Sequence, residues 1–511
     1  MKIELLQPEP ELEFGDSCRC QDMRFGIGHY GTFDFQDSSG PRTIKLGIVG
    51  TAATIDALTE WLITCKLEIP GKRDSKQPRL YPPFPGFTQT QSFHASLSWD
   101  ERDLIPISLS DEACTGSFNE VVEKVVNIYV SEIDSLLERS KLDVVLCAPS
   151  LEHLKIVTRT LEPISRDAAA IVTTSEEVQP AGVRPSENAD SAAASDDDGN
   201  DPQKETVWYE FHDLLKAKSL HLRTPLQHIL PATYDESRAA EQKKLKNRDQ
   251  QDEATRAWNL LTAIYYKAQG IPWRMTRDDA DLRTCYVGVS FFRTLDTNRI
   301  YASSAQVFNR RGEGIIVRGR LAYEDTNKQI HLDEPGAYHL IEKAIEAFKG
   351  EHHHYPARVV IHKTSSFSNE ELDGFKKFLK EKGIEFFDMV YLRQSFIRLF
   401  RADTDPPLRG TLWQLDERHA ILYTRGSVPF YEAYPGKYPP RSLYMDCENA
   451  QRSVRELARE CLALTKMNWN NTRFDGQLPI TLRAAKQVGL ILKYLEDADT
   501  SKLSQSYRFY M

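Results

Sequence analysis

The order of strand-like and helix-like segments in the second half of the chain limits its fold more than any other feature. Apolar runs separated by tight turns predict three antiparallel strands, at residues 285–293, 299–309 and 314–323. Helical and extended patterns then alternate, predicting a helix, a strand, a helix and a strand at residues 335–349, 358–362, 368–383 and 385–392. This order predicts a mixed α/β domain, and the pattern by itself leaves the choice among such folds open.

The first half of the chain shows a simpler alternation. Ile44–Gly50 is an apolar run typical of a buried strand, and a helical pattern follows at about Phe118–Arg139. Leu142–Cys147 is a second buried strand. Strand, helix and strand in sequence predict a Rossmann-like α/β layer.

Two further helical patterns close the first half, at Trp208–Lys218 and from about Asp235 to Gln269. The segment Gly270–Trp273, which contains a proline, ends the second of them. We therefore predict two domains, residues 1–280 and residues 281–511.

The net charge of −9 at pH 7 at first argues against a nucleic-acid-binding protein, because the phosphate backbone favours a basic surface. Many of the acidic residues, however, lie in one low-complexity stretch at about residues 174–206, which contains Asp196, Asp197 and Asp198. Its composition cannot pack a core, so we expect a solvated insert in the first domain. The net charge of the whole chain therefore does not exclude nucleic-acid binding.

Composition also bears on where the protein acts. The sequence contains no run of about 18 uncharged apolar residues, so we expect no membrane span. The N-terminus lacks the basic end and apolar centre of a signal peptide. The eight cysteines are scattered without a CxxC pair, which favours reduced thiols and a cytoplasmic location.

Four polar residues of the first domain form a candidate anion site. His212 and Lys216 lie four residues apart on a predicted helix and therefore share one face. Gln227 and Lys267 follow further along the chain. Two ammonium groups and an imidazole can neutralise a terminal phosphate, and an amide adds direction. A lysine at helical spacing is usually a solvated residue, so this pattern is weak in isolation.

Three segments of the second half resemble the PIWI domain of Argonaute proteins, which has an RNase H-like fold. They are, in order, Cys285–Phe292, Arg358–Thr364 and Trp469–Asp475. The four polar residues of the first half resemble, in order and spacing, those of an Argonaute MID domain. The whole chain is similar to a short prokaryotic Argonaute, in which a Rossmann-like MID domain is followed by an RNase H-like PIWI domain.

The resemblance implies a role for several of these residues. The implied ligands of a guide 5′-phosphate are His212, Lys216, Gln227 and Lys267. A Mg²⁺ ion is expected at the same site, shared with the C-terminal carboxylate of Met511. The expected contacts to the backbone of a nucleic-acid duplex are Arg473, Arg483 and Lys486.

An active PIWI domain carries acidic residues on two strands and an Asp or His on its last helix. The matching positions in this chain are Ser290, Thr364 and Lys486. Two hydroxyls and an ammonium cannot hold the divalent cations of phosphodiester cleavage, so we expect no catalytic residues and no nuclease activity. Two alternatives stay open, a guided nuclease that uses displaced carboxylates such as Asp296 or Asp333, and a structural subunit of an assembly.

The resemblance to short Argonautes implies a set of binding partners. A 5′-phosphorylated guide RNA is expected to bind the MID domain, and a complementary single-stranded DNA to pair with it along PIWI. The protein partner is expected to carry an APAZ region and an effector, namely a TIR, Sir2-like or nuclease domain. Duplex formation would activate that effector, often through a higher oligomer of the heterodimer, and deplete NAD in a prokaryotic cell invaded by plasmids or phage.

Overall fold

The computed structural model describes residues 2–37, 40–72, 74–159, 207–246, 250–276, 284–297, 299–307, 314–400, 406–436, 439–474, 476–495 and 503–511. The predicted acidic insert at residues 174–206 lies outside these ranges. Within the described ranges, no helix combines the length and the apolar character needed to cross a lipid bilayer.

Strands and helices are numbered in chain order. The strands are β1 (Lys2–Leu5), β2 (Leu12–Glu13), β3 (Arg19–Cys20), β4 (Thr43–Gly50), β5 (Ser96–Ser98), β6 (Leu104–Pro106), β7 (Val144–Ala148), β8 (Leu226–His228), β9 (Arg274–Met275), β10 (Thr284–Arg293), β11 (Ile300–Val307), β12 (Gly314–Glu324), β13 (Ile330–His331), β14 (Arg358–Lys363), β15 (Phe386–Ser395), β16 (Thr411–Gln414), β17 (His419–Leu422) and β18 (Ser442–Ala450). The helices are α1 (Met23–Tyr30), α2 (Ala52–Thr64), α3 (Phe118–Arg139), α4 (Leu151–Val157), α5 (Phe211–Lys218), α6 (Ala239–Lys246), α7 (Glu253–Lys267), α8 (Glu334–His352), α9 (Asn369–Glu381), α10 (Val454–Leu464) and α11 (Ile480–Leu492).

A parallel sheet of five strands organises the first half of the chain. β4 lies between β5 and β7, β8 lies beyond β7, and β6 pairs with the end of β4. Every residue of β7 is buried, as are the last five residues of β4. Continuous apolar runs of this kind are typical of strands covered on both faces. The predicted Rossmann-like layer is confirmed.

A mixed sheet of ten strands organises the second half. Its order is β1, β16, β17, β18, β15, β14, β10, β11, β12 and β13. β10, β11 and β12 pair antiparallel, whereas β14 is parallel to β10 and β15 is parallel to β14. This is the RNase H-like strand order, and it confirms the predicted sequence of antiparallel strands followed by helix-linked strands.

The N-terminus crosses between the two halves. β1 pairs antiparallel with β16, so Lys2–Leu5 lie in the sheet of the second half although they precede the boundary predicted at residue 280. A separate three-stranded sheet joins β2 to β3 and β9. The pairings of β1 with β16 and of β2 with β9 link residues hundreds of positions apart, and no local pattern reveals them.

The helix boundaries mostly follow the sequence pattern, with one correction. α3 begins and ends at the predicted residues, Phe118 and Arg139. The single helix predicted from about Asp235 to Gln269 is wrong, because α6 and α7 are separate helices. Asp252 begins α7, since its side chain accepts a hydrogen bond from the Thr255 amide at 3.1 Å.

α11 packs closely on the centre of the ten-stranded sheet at Gly288. A Cβ atom at Gly288 would lie 2.2 Å from the carbonyl oxygen of Thr481, so only glycine fits. Beside it, Nδ1 of His362 lies 2.9 Å from the hydroxyl of Thr481. Burial lowers the pKa of His362 to about 3, so this histidine is neutral and joins β14 to the start of α11.

Gly288→Ala tests this close approach. We expect a loss of about 1–3 kcal/mol in the free energy of unfolding, because the added methyl group meets backbone that cannot move aside freely. Gly350→Ala in α8 is the matched control, since a Cβ at Gly350 would contact nothing within 4 Å. Urea denaturation should separate the two variants, and equal stability would contradict the described packing.

Candidate anion-binding site

Two buried lysines of the first half lie beside each other. Lys216 on α5 and Lys267 on α7 are only 2% and 1% exposed. The ammonium of Lys267 donates to the main-chain oxygens of Arg508 at 3.1 Å and Met511 at 3.0 Å, and that of Lys216 donates to the carbonyl of Leu226. Burial, together with the neighbouring Lys216 ammonium, holds the pKa of Lys267 well below its usual range.

The pairing of these lysines defines what the site can bind. Holding two ammonium groups together out of water costs free energy, since their charges repel and their hydration is lost. The carbonyl oxygens of Leu226 and Arg508 offset only part of this cost, because they carry partial charges, and the expected carboxylate of Met511 balances the charge of one ammonium group at most. An anion with several oxygen atoms could accept hydrogen bonds from both ammonium groups. The arrangement is therefore suited to an oxyanion such as a phosphate group.

Gln227 and His212 lie on the elements that hold Lys216. Gln227 follows Leu226 on β8, and its Nε2 donates to the carbonyl of His228 at 3.0 Å. Its Oε1 is buried and has no hydrogen-bond partner among the described residues. His212 lies one turn before Lys216 on α5, and its Nδ1 is 3.0 Å from a carboxylate oxygen of Asp213. The structure thus brings Lys216, Gln227 and Lys267 to one region, with His212 on its α5 side.

The last residues of the chain form one wall of this region. Tyr507, Phe509, Tyr510 and Met511 are all buried in the largest apolar cluster of the protein. Mg²⁺ prefers oxygen ligands, and the main-chain oxygen of Met511 and Oε1 of Gln227 are suitable atoms. The residues present therefore fit such an ion in part, because the Lys267 ammonium already donates to the Met511 oxygen, whereas Oε1 of Gln227 has no hydrogen-bond partner among the described residues.

A set of buried donors that the sequence did not reveal lies against α7. The amide nitrogens of Asn468 and Asn471 and Nε1 of Trp469 are buried, and none has a partner among the described residues. The Trp469 ring lies 4.7 Å from that of Tyr266, the residue before Lys267. In the sequence this segment, Trp469–Asp475, resembles PIWI, but only the fold shows that its donors are buried and available.

The three positions that match PIWI metal ligands lie on or directly after β10 and β14, two central strands of the ten-stranded sheet, and on α11. Ser290 is 3% exposed on β10 and pairs with Ser303, whose hydroxyl donates to the Ala485 carbonyl of α11 at 2.9 Å. Thr364 directly follows β14, and exposed Lys486 directly follows Ala485. No carboxylate stands at any of the three positions.

The carboxylates that could be displaced ligands have structural roles. Asp388 is buried and paired with Arg358 at 2.6 Å, and Asp333 caps α8 by accepting from the Gly336 amide at 2.8 Å. Asp296 accepts a hydrogen bond from the hydroxyl of Thr294. Within the described ranges, no group of three or more His, Cys, Asp or Glu side chains is arranged to hold a metal ion.

The predicted contacts to a duplex lie on two neighbouring segments. Arg483 and Lys486 are three residues apart on α11 and therefore share a face. Lys486 is exposed, whereas Arg483 is half-buried. Arg473 is also half-buried and follows Thr472, whose amide donates to Oδ1 of Asn259 on α7 at 2.9 Å.

Comparisons with known proteins bear on the fold. No family model matches the sequence, and no curated protein is similar enough to be matched. Among solved structures, the Argonaute of Clostridium butyricum bound to a guide DNA and a 19-mer target DNA matches with a TM-score of 0.60 and 15% identity over 97% of this chain. Drosophila Piwi matches with a TM-score of 0.59 and 12% identity over 100% of it.

The fold is that of a Rossmann-like layer joined to an RNase H-like sheet. This is the MID–PIWI architecture of Argonaute and Piwi proteins, as the two matches show. The chain covers 53% of the Clostridium butyricum protein and 56% of Drosophila Piwi, so it spans about half the length of each. At these identities the matches establish the fold alone.

Proposed function

We propose that the chain binds the 5′-phosphorylated end of a guide RNA between α5, α7 and the end of the chain. The observation that carries this proposal is the contact between the buried ammonium groups of Lys216 and Lys267. A terminal phosphate is a dianion with three free oxygen atoms, and it can satisfy both donors together with Gln227 and His212. A bound Mg²⁺, held by Gln227 and Met511, would add positive charge against the phosphates.

The buried donors near α7 support a path for the strand beyond its first phosphate. Amide and indole N–H groups such as those of Asn468, Trp469 and Asn471 contact phosphate oxygens without reading the base. Arg473, and the shared face of Arg483 and Lys486, supply positive charge further along. A complementary single-stranded DNA would pair with the guide along the part of the PIWI-like half that carries Arg473, Arg483 and Lys486.

We further propose that the chain does not cleave its target. Ser290, Thr364 and Lys486 supply no carboxylate, and the acids Asp333 and Asp388 are engaged in a helix cap and an ion pair. Recognition would then act through a second, cytoplasmic protein with an APAZ region and a TIR, Sir2-like or nuclease effector, activated in a higher oligomer during defence against plasmids or phage. For that to occur, the guide–target duplex must favour the active assembly over the silent one.

Binding of matched RNA oligonucleotides tests the phosphate site. We expect the wild-type chain to bind a 5′-phosphorylated RNA at least ~10-fold more tightly than the same RNA with a 5′-hydroxyl, since two charged hydrogen bonds are lost without the phosphate. Fluorescence anisotropy at several salt concentrations separates this preference from general backbone attraction. Equal affinity for both ends would refute the assignment.

Proton uptake on binding is a second expected result. The pKa of Lys267 is held low in the free site by burial and by Lys216, and a phosphate dianion should raise it. Binding should therefore take up protons, and affinity should fall as the pH rises through the lowered pKa. Titration calorimetry at a series of pH values above about 7, where the phosphate is already a dianion, should give enthalpies that depend on the buffer once the pH passes the lowered pKa of Lys267. Buffer-independent enthalpies in the wild type would contradict this result.

A further inference from the structure

Three buried hydrogen-bond donors lie on one short segment, residues 468–471, which we name the donor segment. They are Nδ2 of Asn468, Nε1 of Trp469 and Nδ2 of Asn471, and none of them has an acceptor among the described residues. A donor that is buried without an acceptor costs free energy in the free protein, and a ligand with acceptor atoms removes that cost.

Local hydrogen bonds determine which ligands the donor segment can bind. The amide of Asn470 donates to Oδ1 of Asn468 at 3.2 Å, and the amide of Arg473 donates to Oδ1 of Asn471 at 3.1 Å. These bonds engage the side-chain oxygens, so the Nδ2 groups of both asparagines remain for a ligand, and they can only donate. The indole N–H of Trp469 is also a donor. The segment therefore suits an acceptor-rich group such as the phosphodiester of a nucleic-acid strand.

A buried ammonium group anchors the start of the donor segment. Lys466, two residues before Asn468, is 0% exposed. Its Nζ lies 2.8 Å from a carboxylate oxygen of Glu9 and donates to the carbonyls of Pro10 at 2.6 Å and Gln21 at 3.0 Å. These acceptors match the N–H bonds of the ammonium, so Lys466 has no donor left for a ligand. It can therefore affect binding only through the backbone that it holds.

Glu9 reinforces this anchor through a second cation. Nε of Arg409 donates to the Glu9 carboxylate at 3.0 Å, and Nη2 of Arg409 donates to the hydroxyl of Thr465 at 2.8 Å. Both Lys466 and the residue before it are thus tied to Glu9. At the other end, the residue after the donor segment is held by Asn259 on α7. Donors that are fixed at both ends lose little conformational entropy when a ligand binds.

We propose that Glu9 and Lys466 are positioning residues for nucleic-acid binding, because they hold the donor segment where it binds one internal phosphodiester of the guide. The inference rests on the proposed function, in which the guide RNA is bound by its 5′-phosphate. Loss of the Lys466 ammonium frees the start of the donor segment, and its donors can then turn to water. The contact with the internal phosphodiester is lost, while contacts elsewhere on the strand remain.

The test measures binding of 5′-phosphorylated RNAs in which one phosphodiester at a time is replaced by an uncharged methylphosphonate. For the wild-type chain we expect one internal position at which the replacement weakens binding about 10-fold, since it weakens the charge-assisted hydrogen bonds to that phosphate. Lys466→Met removes the ammonium but keeps an apolar stem and leaves Glu9 paired with Arg409. In this variant the same replacement should weaken binding by less than about 2-fold, and its effect at every other position should be that seen in the wild type.

Three further variants separate positioning from overall stability. Asn471→Ala removes one donor directly and should reduce the sensitivity at the same internal position. Glu9→Gln should reproduce the effect of Lys466→Met, and it becomes the main variant if Lys466→Met does not fold. Lys343→Met is the matched control, because Lys343 is exposed on α8, and it should keep the wild-type pattern.

Each contrary outcome has a distinct meaning. A folded Lys466→Met or Glu9→Gln protein that keeps the full sensitivity at the internal position would overturn the positioning role, even if it bound every RNA more weakly by the same factor, since a merely structural role predicts that result. A wild-type chain without a sensitive internal position would also overturn it, while an intact preference for a 5′-phosphate would leave the proposed function standing. Absence of that preference in the wild type would count against the proposed function itself.

Discussion

Replacing Lys267 with glutamine should reduce affinity for a 5′-phosphorylated guide by about 10- to 100-fold, which corresponds to the loss of a charged hydrogen bond. Affinity for the 5′-hydroxyl form should change little, because Lys267 has no role in binding the rest of the strand. Lys216→Gln should have the same selective effect. The double variant should lose less binding free energy than the sum of the losses in the two single variants, since both lysines contact the same phosphate.

A stability measurement shows whether the loss of affinity could come from unfolding of the variant. Lys267 is buried beside a second ammonium group, and glutamine removes that repulsion while keeping an N–H donor for the oxygens of Arg508 and Met511, so the thermal midpoint of the free protein should change little. Lys343→Gln is the matched control, because Lys343 is exposed on α8 in the other half. If Lys267→Gln retained the full preference for a 5′-phosphate, the site would lie elsewhere.

The largest expected loss of stability comes from a different buried charge. Glu371 and Lys363 form an ion pair at 2.8 Å, and the side chains of both are 0% exposed. Glu371 also accepts from the amide of Leu332 at 2.9 Å and lies 3.1 Å from Nδ1 of His331. Removing one partner leaves the other charge buried and unpaired. We therefore expect Glu371→Gln to lower the free energy of unfolding by about 3–5 kcal/mol.

The pH dependence of this effect has a definite sign. Burial lowers the pKa of Lys363 to about 8, below its unfolded value, even though Glu371 favours the charged form. Without that carboxylate the pKa falls further, so the charged ammonium costs more in the variant than in the wild type. The difference in stability between the two should be largest below the further lowered pKa of Lys363 in the variant, should shrink as the pH rises from there to about 8, and should be smallest above about pH 8, where Lys363 is neutral in both.

Urea unfolding at two pH values measures this difference. Glu370→Gln is the matched control, because Glu370 is the exposed neighbour on the same helix and should change stability by less than about 0.5 kcal/mol. A Glu371→Gln variant as stable as this control would show that the ion pair contributes little.

Much of the fold could be predicted from local patterns. The strands and helices between residues 284 and 395 follow the alternation of apolar and polar residues closely. The pairing of Lys2–Leu5 with β16 could not be predicted, since it depends on contacts across more than 400 residues of chain. The break between α6 and α7 was missed because the charged residues around Asp252 suit a helix as well as they suit its beginning.

The candidate site was less accessible to sequence reasoning. The spacing of His212 and Lys216 predicts a shared helix face, but nothing local predicts that Lys216 meets Lys267, 51 positions away. That contact follows from the packing of α5 and α7, and only the family resemblance suggested it. Glu371 illustrates the same limit, because its position in the first turn of a helix predicts a cap, which it forms, and gives no sign of the ion pair with Lys363.

The central claim is that the protein carries a guide with a 5′-phosphate, and the nucleic acid that copurifies with it tests this most directly. The extracted material would be labelled with a 5′ kinase before and after phosphatase treatment. We predict short RNA that labels only after the phosphatase, and that is absent from the Lys267→Gln protein. Folded wild-type protein with no short nucleic acid, or with RNA that labels without phosphatase, would contradict the account.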